Sequence, residues 1–192
     1  MRILRLLVLS VYMTLLVALV CGVIYPMSVT LVSSALFPDA ARGSPVSYDG
    51  RVVGSLLIGQ NFSGPEYFHS RPSAVNYNAS ASGASNLGPD NSELIGLILS
   101  RMPEGVDTVP ADAVLSSGSG LDPDISIENA MMQAPRVAGE NGIDEASVKD
   151  LIRSKTRGKL LGIWGEPRVN VLELNIGIME MKKGINVEDD RG

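Results

Sequence analysis

The residues of this chain that could carry chemistry are few and sit in short polar runs. The single histidine, His69, lies in YFHSRPSAVNYNASASGASNLGPDNS, residues 67–92, together with Tyr67, Phe68, Arg71 and Tyr77. Two carboxylates, Asp122 and Asp124, stand two apart in GLDPDI. A zinc site needs several His or Cys ligands at close spacing, and one His with one Cys, Cys21, cannot supply them. A Ser-His-Asp triad is arithmetically available with Asp122, yet no GxSxG elbow accompanies it, so His69 reads as a packing or surface histidine. On an extended chain Asp122 and Asp124 point the same way, which would suit a cation. The competing reading is local bonding: Asp-Pro starts a turn, and Asp124 with Ser126 caps the next helix. GSGLDP and SGASNLGP share only glycines with phosphate loops. Asn61-Phe62-Ser63 and Asn78-Ala79-Ser80 match the glycosylation triplet, a pattern short enough to arise by chance.

These residues need elements to position them. Leu6 to Tyr25, LLVLSVYMTLLVALVCGVIY, carries no charge and has the length a helix needs to cross about 30 Å of hydrocarbon. Ser10 and Thr14 are tolerable there because their hydroxyls bond back to the helix, and Pro26 is expected to kink it. MSVTLVSSALF then continues the helix or runs along the interface. A retained anchor is the expectation. A cleaved signal peptide is the alternative, opposed by the length of the run, and a lipoprotein use of Cys21 is opposed by Leu19 and Val20 before it. Arg2 and Arg5 at the N-terminal end keep that end in the cytoplasm by the positive-inside rule. The expected organisation is a cytoplasmic N-terminus, 1–5; a transmembrane helix with an interfacial extension, 6–37; one mixed α+β extracytoplasmic domain, 38–182; and a charged, frayed tail, 183–192.

Within the domain, RVVGSLLIGQNF reads as a buried strand bounded by Gly50 and Gly59, with Gly54 marking a bulge or a close backbone approach. Asp90 or Asn91 caps a well-buried helix, ELIGLILSRM, that Pro103 stops. Val114 and Leu115 read as a short strand. Ser126 caps IENAMMQA, which ends near Pro135. Asp144 caps a helix whose Val148, Leu151 and Ile152 share a face, with Gly158 as its stop. GIWGEPRVNVLELNIGIMEM reads as a closing strand through Val169, Val171 and Leu172. Helices and strands alternate irregularly, which indicates α+β architecture rather than a doubly wound sheet. The net charge is −5 with no basic field, so nucleic acid is not an expected partner. With its one cysteine in the apolar run, the domain has no disulfide and must stand on its own core or on a partner.

GSLLIGQNF, YFHSRPSAVNYN, SGASNLGPDN, SSGSGLDPDIS, a helix with Gln133 and Arg136-Val137-Ala138, and GEPRVNVLELN follow the membrane run in that order. This series resembles the C subunit of the potassium-transporting P-type ATPase of bacteria and archaea, the Kdp complex, over nearly the whole chain. The resemblance implies an accessory, non-enzymatic subunit needed for assembly and activity. Its partners would be a potassium-translocating A subunit, an ATP-hydrolysing B subunit, a small F subunit and membrane lipid. It also implies a catalytic-chaperone role that raises the ATP affinity of the B subunit. No firmly bound cofactor or metal is expected: ATP would act through the complex, and potassium is the transported ion. An extracytoplasmic domain cannot meet cytoplasmic ATP, so the alternative is an outer cap over the potassium inlet of the A subunit, coupled only indirectly to ATP. A tethered extracellular binding module or hydrolase is the reading from another class. The partner-interface or nucleotide candidates are Gln60, Tyr67, Phe68, Arg71, Tyr77, Asn78, Asn86 and Asp122. The 67–92 run is expected to be an ordered loop whose own Asn and Ser side chains replace ladder hydrogen bonds, with Tyr and Arg types that interfaces favour. The chain departs from the family where Asp124 stands in place of a usual His, and where Gly139-Glu140-Asn141 replaces a further Arg.

Overall fold

A computed structural model describes residues 2–103, 106 and 108–189, with side chains through residue 184. The chain divides into two units between Pro45 and Val46. The first is a continuous helix of 35 residues, Arg2–Leu36, long and apolar enough to cross a membrane. It comprises α1 (Arg2–Leu19), a π turn (Val20–Ile24) and α2 (Tyr25–Leu36). Pro26 cannot donate to a carbonyl one turn back and its ring crowds that turn. The widened π turn just before it absorbs the misfit, with Tyr25 N–H bonding Val20 C=O, and the helix goes on. Ser10 and Thr14 bond back to Leu6 and Ser10 carbonyls at 2.6 and 2.8 Å, as their hydroxyls demand in an apolar run. A single turn, α3 (Pro38–Ala41), follows.

The second unit is α+β. β1 (Pro45–Tyr48) and β2 (Arg51–Ser55) form a hairpin. Asp49 and Gly50 both have positive φ, +48° and +74°, the pair a type I′ turn requires. β2 is shorter and wetter than the buried strand expected there: it stops at Ser55 and Val52 is 70% exposed. Gly54 does mark a close approach, since a Cβ there would strike the Gln60 side chain. α4 (Ser92–Arg101) starts at Asn91, whose Oδ1 accepts the Glu93 N–H at 2.8 Å. It is not buried as expected, because Ile95 and Leu99 face outward. Val114 ends a short helix, α5 (Ala111–Val114), instead of starting a strand.

The core lies in the C-terminal half. β3 (Asp124–Ser126) pairs antiparallel with β4 (Arg168–Asn170), Ile125 opposite Val169. Around this two-stranded sheet pack α6 (Ile127–Asn141), α7 (Glu145–Lys155) and α8 (Val171–Asp189). Ser126 and Asp144 cap α6 and α7 as read from the sequence, and Val148 and Ile152 of α7 are fully buried. α7 ends at Lys155 with Thr156 as its C-cap, ahead of Gly158.

Pro135 does not end α6. It sits on the exposed side, where water can take the carbonyl it frees, while Ala134, Val137 and Ala138 are buried behind it; Gly142, at φ +65°, closes the helix. The closing strand is only three residues long. Asn170 Oδ1 accepts the Leu172 and Glu173 N–H groups at 3.1 and 3.2 Å and turns the chain into α8. Val171, Leu174, Asn175 and Ile178 are buried at helical spacing, which overrides the β preference of Val171 and Leu172. Leu151 of α7 lies so close to Gly177 that a Cβ there would come within 2.7 Å of it. α8 runs through Asp189, so most of the expected frayed tail is helical; its last three residues lie outside the described ones.

Candidate functional site

The polar run of residues 64–78 is built into the domain by side chains from the helices beneath it. Asn175 of α8 accepts the Phe68 N–H at 2.7 Å and donates to the Phe68 C=O at 3.0 Å. Gln133 of α6 does the same for the next residue, with 2.8 Å to the His69 N–H and 3.1 Å to its C=O. Each amide thus plays the part that a strand neighbour plays in a hydrogen-bonded antiparallel pair. Arg136 donates to the carbonyls of Pro65 and Tyr67, and Asn141 to that of Glu66 at 2.7 Å. Five successive carbonyls, 65 through 69, are therefore held by side chains.

The clamp is itself clamped. Asn129, one turn before Gln133, accepts from it at 2.9 Å and donates to Asp112, which also binds Ser126 at the start of α6. Asn129, Gln133 and Asn175 are buried, so their bonds are made out of water, where an unpaired group costs about 1–3 kcal/mol. Burial also pulls the Arg136 guanidinium below its usual pKa, while Glu140 and Glu66 push it back up.

The predicted residues fall into distinct places. Phe68 is 0% exposed and belongs to the core. Tyr67 is half-buried, its ring 5.6 Å from that of Phe62. Arg71 meets Asp122 at 3.0 Å, and Tyr77 donates its hydroxyl to the Arg71 carbonyl at 2.8 Å, so these three form one group. Burial raises the Tyr77 phenol, partly offset by Arg101. Gln60 donates to the Val53 carbonyl and leaves its Oε1 buried without a partner; it shares a hollow of about 400 Å³ with Tyr77 and Asn76. Asn78 and Asn86 stand apart on the surface: Asn78 Oδ1 takes the Ser80 N–H, and Asn86 has φ +55°, both turn roles. His69 Nε2 lies 2.9 Å from the Gly64 carbonyl, a packing bond.

A hollow of about 570 Å³ is lined by Arg71, Asp112, Asp122, Asp124, Glu166 and Arg168, among others. Asp124 does not cap α6. It pairs with Arg168 at 2.8 Å and accepts from Asn170 at 3.2 Å, while Asp122 Oδ1 takes the Asp124 N–H in a local turn. Both guanidinium groups lining the hollow are already matched to carboxylates, and carboxyl groups outnumber them. Such a lining repels a polyphosphate, whose recognition needs unmatched cations or converging N–H groups. Among the described residues no three His, Cys, Asp or Glu side chains converge as metal ligands.

Reading the sequence missed Gln133, Arg136, Asn141 and Asn175 as the residues that hold the loop, and Asn129 as the support behind Gln133. A signal was present: Asn129 and Gln133 are amides one turn apart among Ala130, Ala134 and Val137, and Asn175 sits between Leu174 and Ile178. An amide on an apolar helix face must find a partner inside.

Comparison with known proteins gives a consistent result. The family model described as KdpC, K+-transporting ATPase, c chain, matches residues 7–180. The chain is 46% identical over 184 residues to the potassium-transporting ATPase KdpC subunit of Dechloromonas aromatica, covering 91% of this chain and 96% of that one. It is 54% identical over 163 residues to the KdpC subunit of Caulobacter vibrioides, covering 80% and 82%, and 43% identical over 182 residues to that of Rhodopseudomonas palustris, covering 83% and 89%.

Proposed function

The chain belongs to the KdpC family, the c chain of the potassium-transporting ATPase, and from that premise we propose that it is a non-catalytic, single-span subunit whose outer domain caps the potassium inlet of the A subunit. The 35-residue helix crosses the membrane with Arg2 and Arg5 on the cytoplasmic side. The domain from Val46 onward then stands outside. Its partners are the A, B and F subunits, and its influence on ATP binding by the B subunit passes through the assembled membrane helices. Potassium is the cargo of the complex, not a ligand held by this chain.

The observation that carries this reading is the lining of the 570 Å³ hollow, where Arg71–Asp122 and Arg168–Asp124 are self-matched and carboxyl groups are in excess. It supports a surface suited to a cation-conducting partner and gives no support to direct nucleotide contact. The clamped run 64–78 supports a docking role, because a backbone held at five successive carbonyls presents Tyr67 and Arg71 with little ordering left to lose on binding.

The test is thiol accessibility. Cysteines placed at the exposed positions Ala79 and Ser154, in a Cys21→Ser background, are expected to react with a membrane-impermeant reagent on intact cells. Reaction only after permeabilisation overturns the outward placement. A photoreactive ATP analogue is expected to label the B subunit of the intact complex and leave this chain unlabelled; saturable labelling of this chain overturns the indirect route.

A further inference from the structure

The segment between α7 and β4 has the opposite character to the clamped loop. Arg157 and Arg168 exchange backbone hydrogen bonds at 2.8 and 3.0 Å, and further out Leu160 and Trp164 do the same at 2.7 and 3.1 Å. The tip they close carries Leu160, Leu161, Ile163 and Trp164, which are 68%, 81%, 75% and 68% exposed. Four large apolar side chains on one small, hydrogen-bonded hairpin are not the scattered exposure that ordinary surfaces show. Leu161 also occupies a left-handed backbone conformation, φ +53°, that Gly or Asn would adopt at lower cost. Its side chain gains nothing inside the domain, so the fold does not account for a leucine there.

The flanks are predominantly basic. From Arg153 to Arg168 five basic residues face one acidic residue, Glu166, in a chain of net charge −5. Arg153, Arg157 and Arg168 are matched to Asp150, Glu173 and Asp124, whereas Lys155 and Lys159 meet no carboxylate among the described residues. An apolar tip with a tryptophan, bordered by exposed lysines, is the composition of a membrane-interface anchor: aliphatic groups enter the acyl boundary, the indole sits at headgroup level and the ammonium groups meet anionic lipid.

We propose that the 157–168 hairpin dips into the outer face of an anionic lipid bilayer and fixes the domain against the membrane. This rests on the reading that Arg2–Leu36 spans the bilayer. Only seven residues separate Leu36 from Ser44, a tether of at most about 25 Å even when fully extended.

Trp164 is the only tryptophan, so the whole chain reports on this hairpin directly. The full-length protein is reconstituted into phosphatidylcholine vesicles with and without phosphatidylglycerol, and the emission of Trp164 and its quenching by lipids brominated near the headgroup end of the acyl chain are read. The expected result is blue-shifted emission, quenched by shallow bromines and more strongly when phosphatidylglycerol is present, with loss of both shift and quenching in Leu161→Ser/Ile163→Ser. Flotation after a carbonate wash reports the helix separately. A chain that floats with red, unquenched emission overturns the hairpin proposal alone. One that neither floats nor is quenched overturns both readings, and one that is quenched yet washes off supports the hairpin and removes the anchor. Blue-shifted emission that bromolipid fails to quench means a protein surface covers the tip, and that overturns a lipid occupant.

Discussion

The 64–71 segment and the 157–168 hairpin invert the usual relation between composition and place. The first is polar in sequence and is tied to the core, with Phe68 fully buried, most of its neighbours half-buried and their carbonyls held by Asn, Gln and Arg side chains. The second is apolar at its tip and ends outside, with Leu161 81% exposed. A polar backbone can be buried when helices bring amides to satisfy it group by group. An apolar tip can be exposed when backbone bonds across the hairpin hold it without help from a core. Stability should therefore depend strongly on the first segment and hardly on the second.

The comparison can be broken most directly at Phe68. Phe68→Ala removes a ring at 0% exposure and is expected to cost about 3–5 kcal/mol, read as a lowered denaturant midpoint of the full-length chain in detergent. A cost near zero would mean that the segment is not part of the core. Next comes Asn175→Leu, which keeps volume but strands the Phe68 N–H and C=O. About 2–4 kcal/mol is expected, since each orphaned buried group costs about 1–3 kcal/mol. Survival of this variant at full stability would show that the amide clamp contributes nothing.

Tyr77→Phe should cost about 1 kcal/mol through the lost bond to the Arg71 carbonyl. It carries a pH signature as well. Burial raises the Tyr77 phenol above its usual 10.0, so the folded state favours the neutral form. Its contribution is complete below that usual value and is lost as pH rises through the raised one. The wild-type chain should lose stability on that alkaline limb, and Tyr77→Phe should lose less. Arg71→Met tests a pair whose side chains are 28% and 31% exposed, and about 1 kcal/mol is expected, shrinking with added salt. At the small end, Leu161→Asn should leave stability within about 0.5 kcal/mol or raise it slightly, because Asn accepts the left-handed backbone more readily. A large loss there would erase the contrast between the two regions.

Some elements could be read without coordinates. The helix over residues 6–36, the caps at Asn91, Ser126 and Asp144, and the close approach at Gly54 follow from local chemistry: apolar length, a side-chain oxygen before a helix, a missing Cβ. The same local rules failed at Val171 and Leu172, whose β preference lost to a helix capped by Asn170, and at Pro135, whose breaking tendency lost to the burial of its neighbours. They also failed for α4, whose Leu94, Leu97 and Ile98 are only half-buried and whose Ile95 and Leu99 are exposed.

The family resemblance and the order of motifs were present in the chain itself, and the α+β class followed from its irregular alternation of patterns. Which groups hold the 64–71 backbone was a different kind of question. Asn175 and Phe68 are 107 residues apart, and Gln133 and His69 are 64 apart. A side-chain amide has no period or spacing that names its partner across such distances; only the packing of α6 and α8 against the loop brings donor and acceptor within 3 Å. The sequence alone determined that polar groups would need satisfying and that a long apolar helix would form. The tertiary structure decided which polar groups went inside and which apolar ones stayed out, because burial belongs to a residue's neighbours in space and not to its neighbours in the chain.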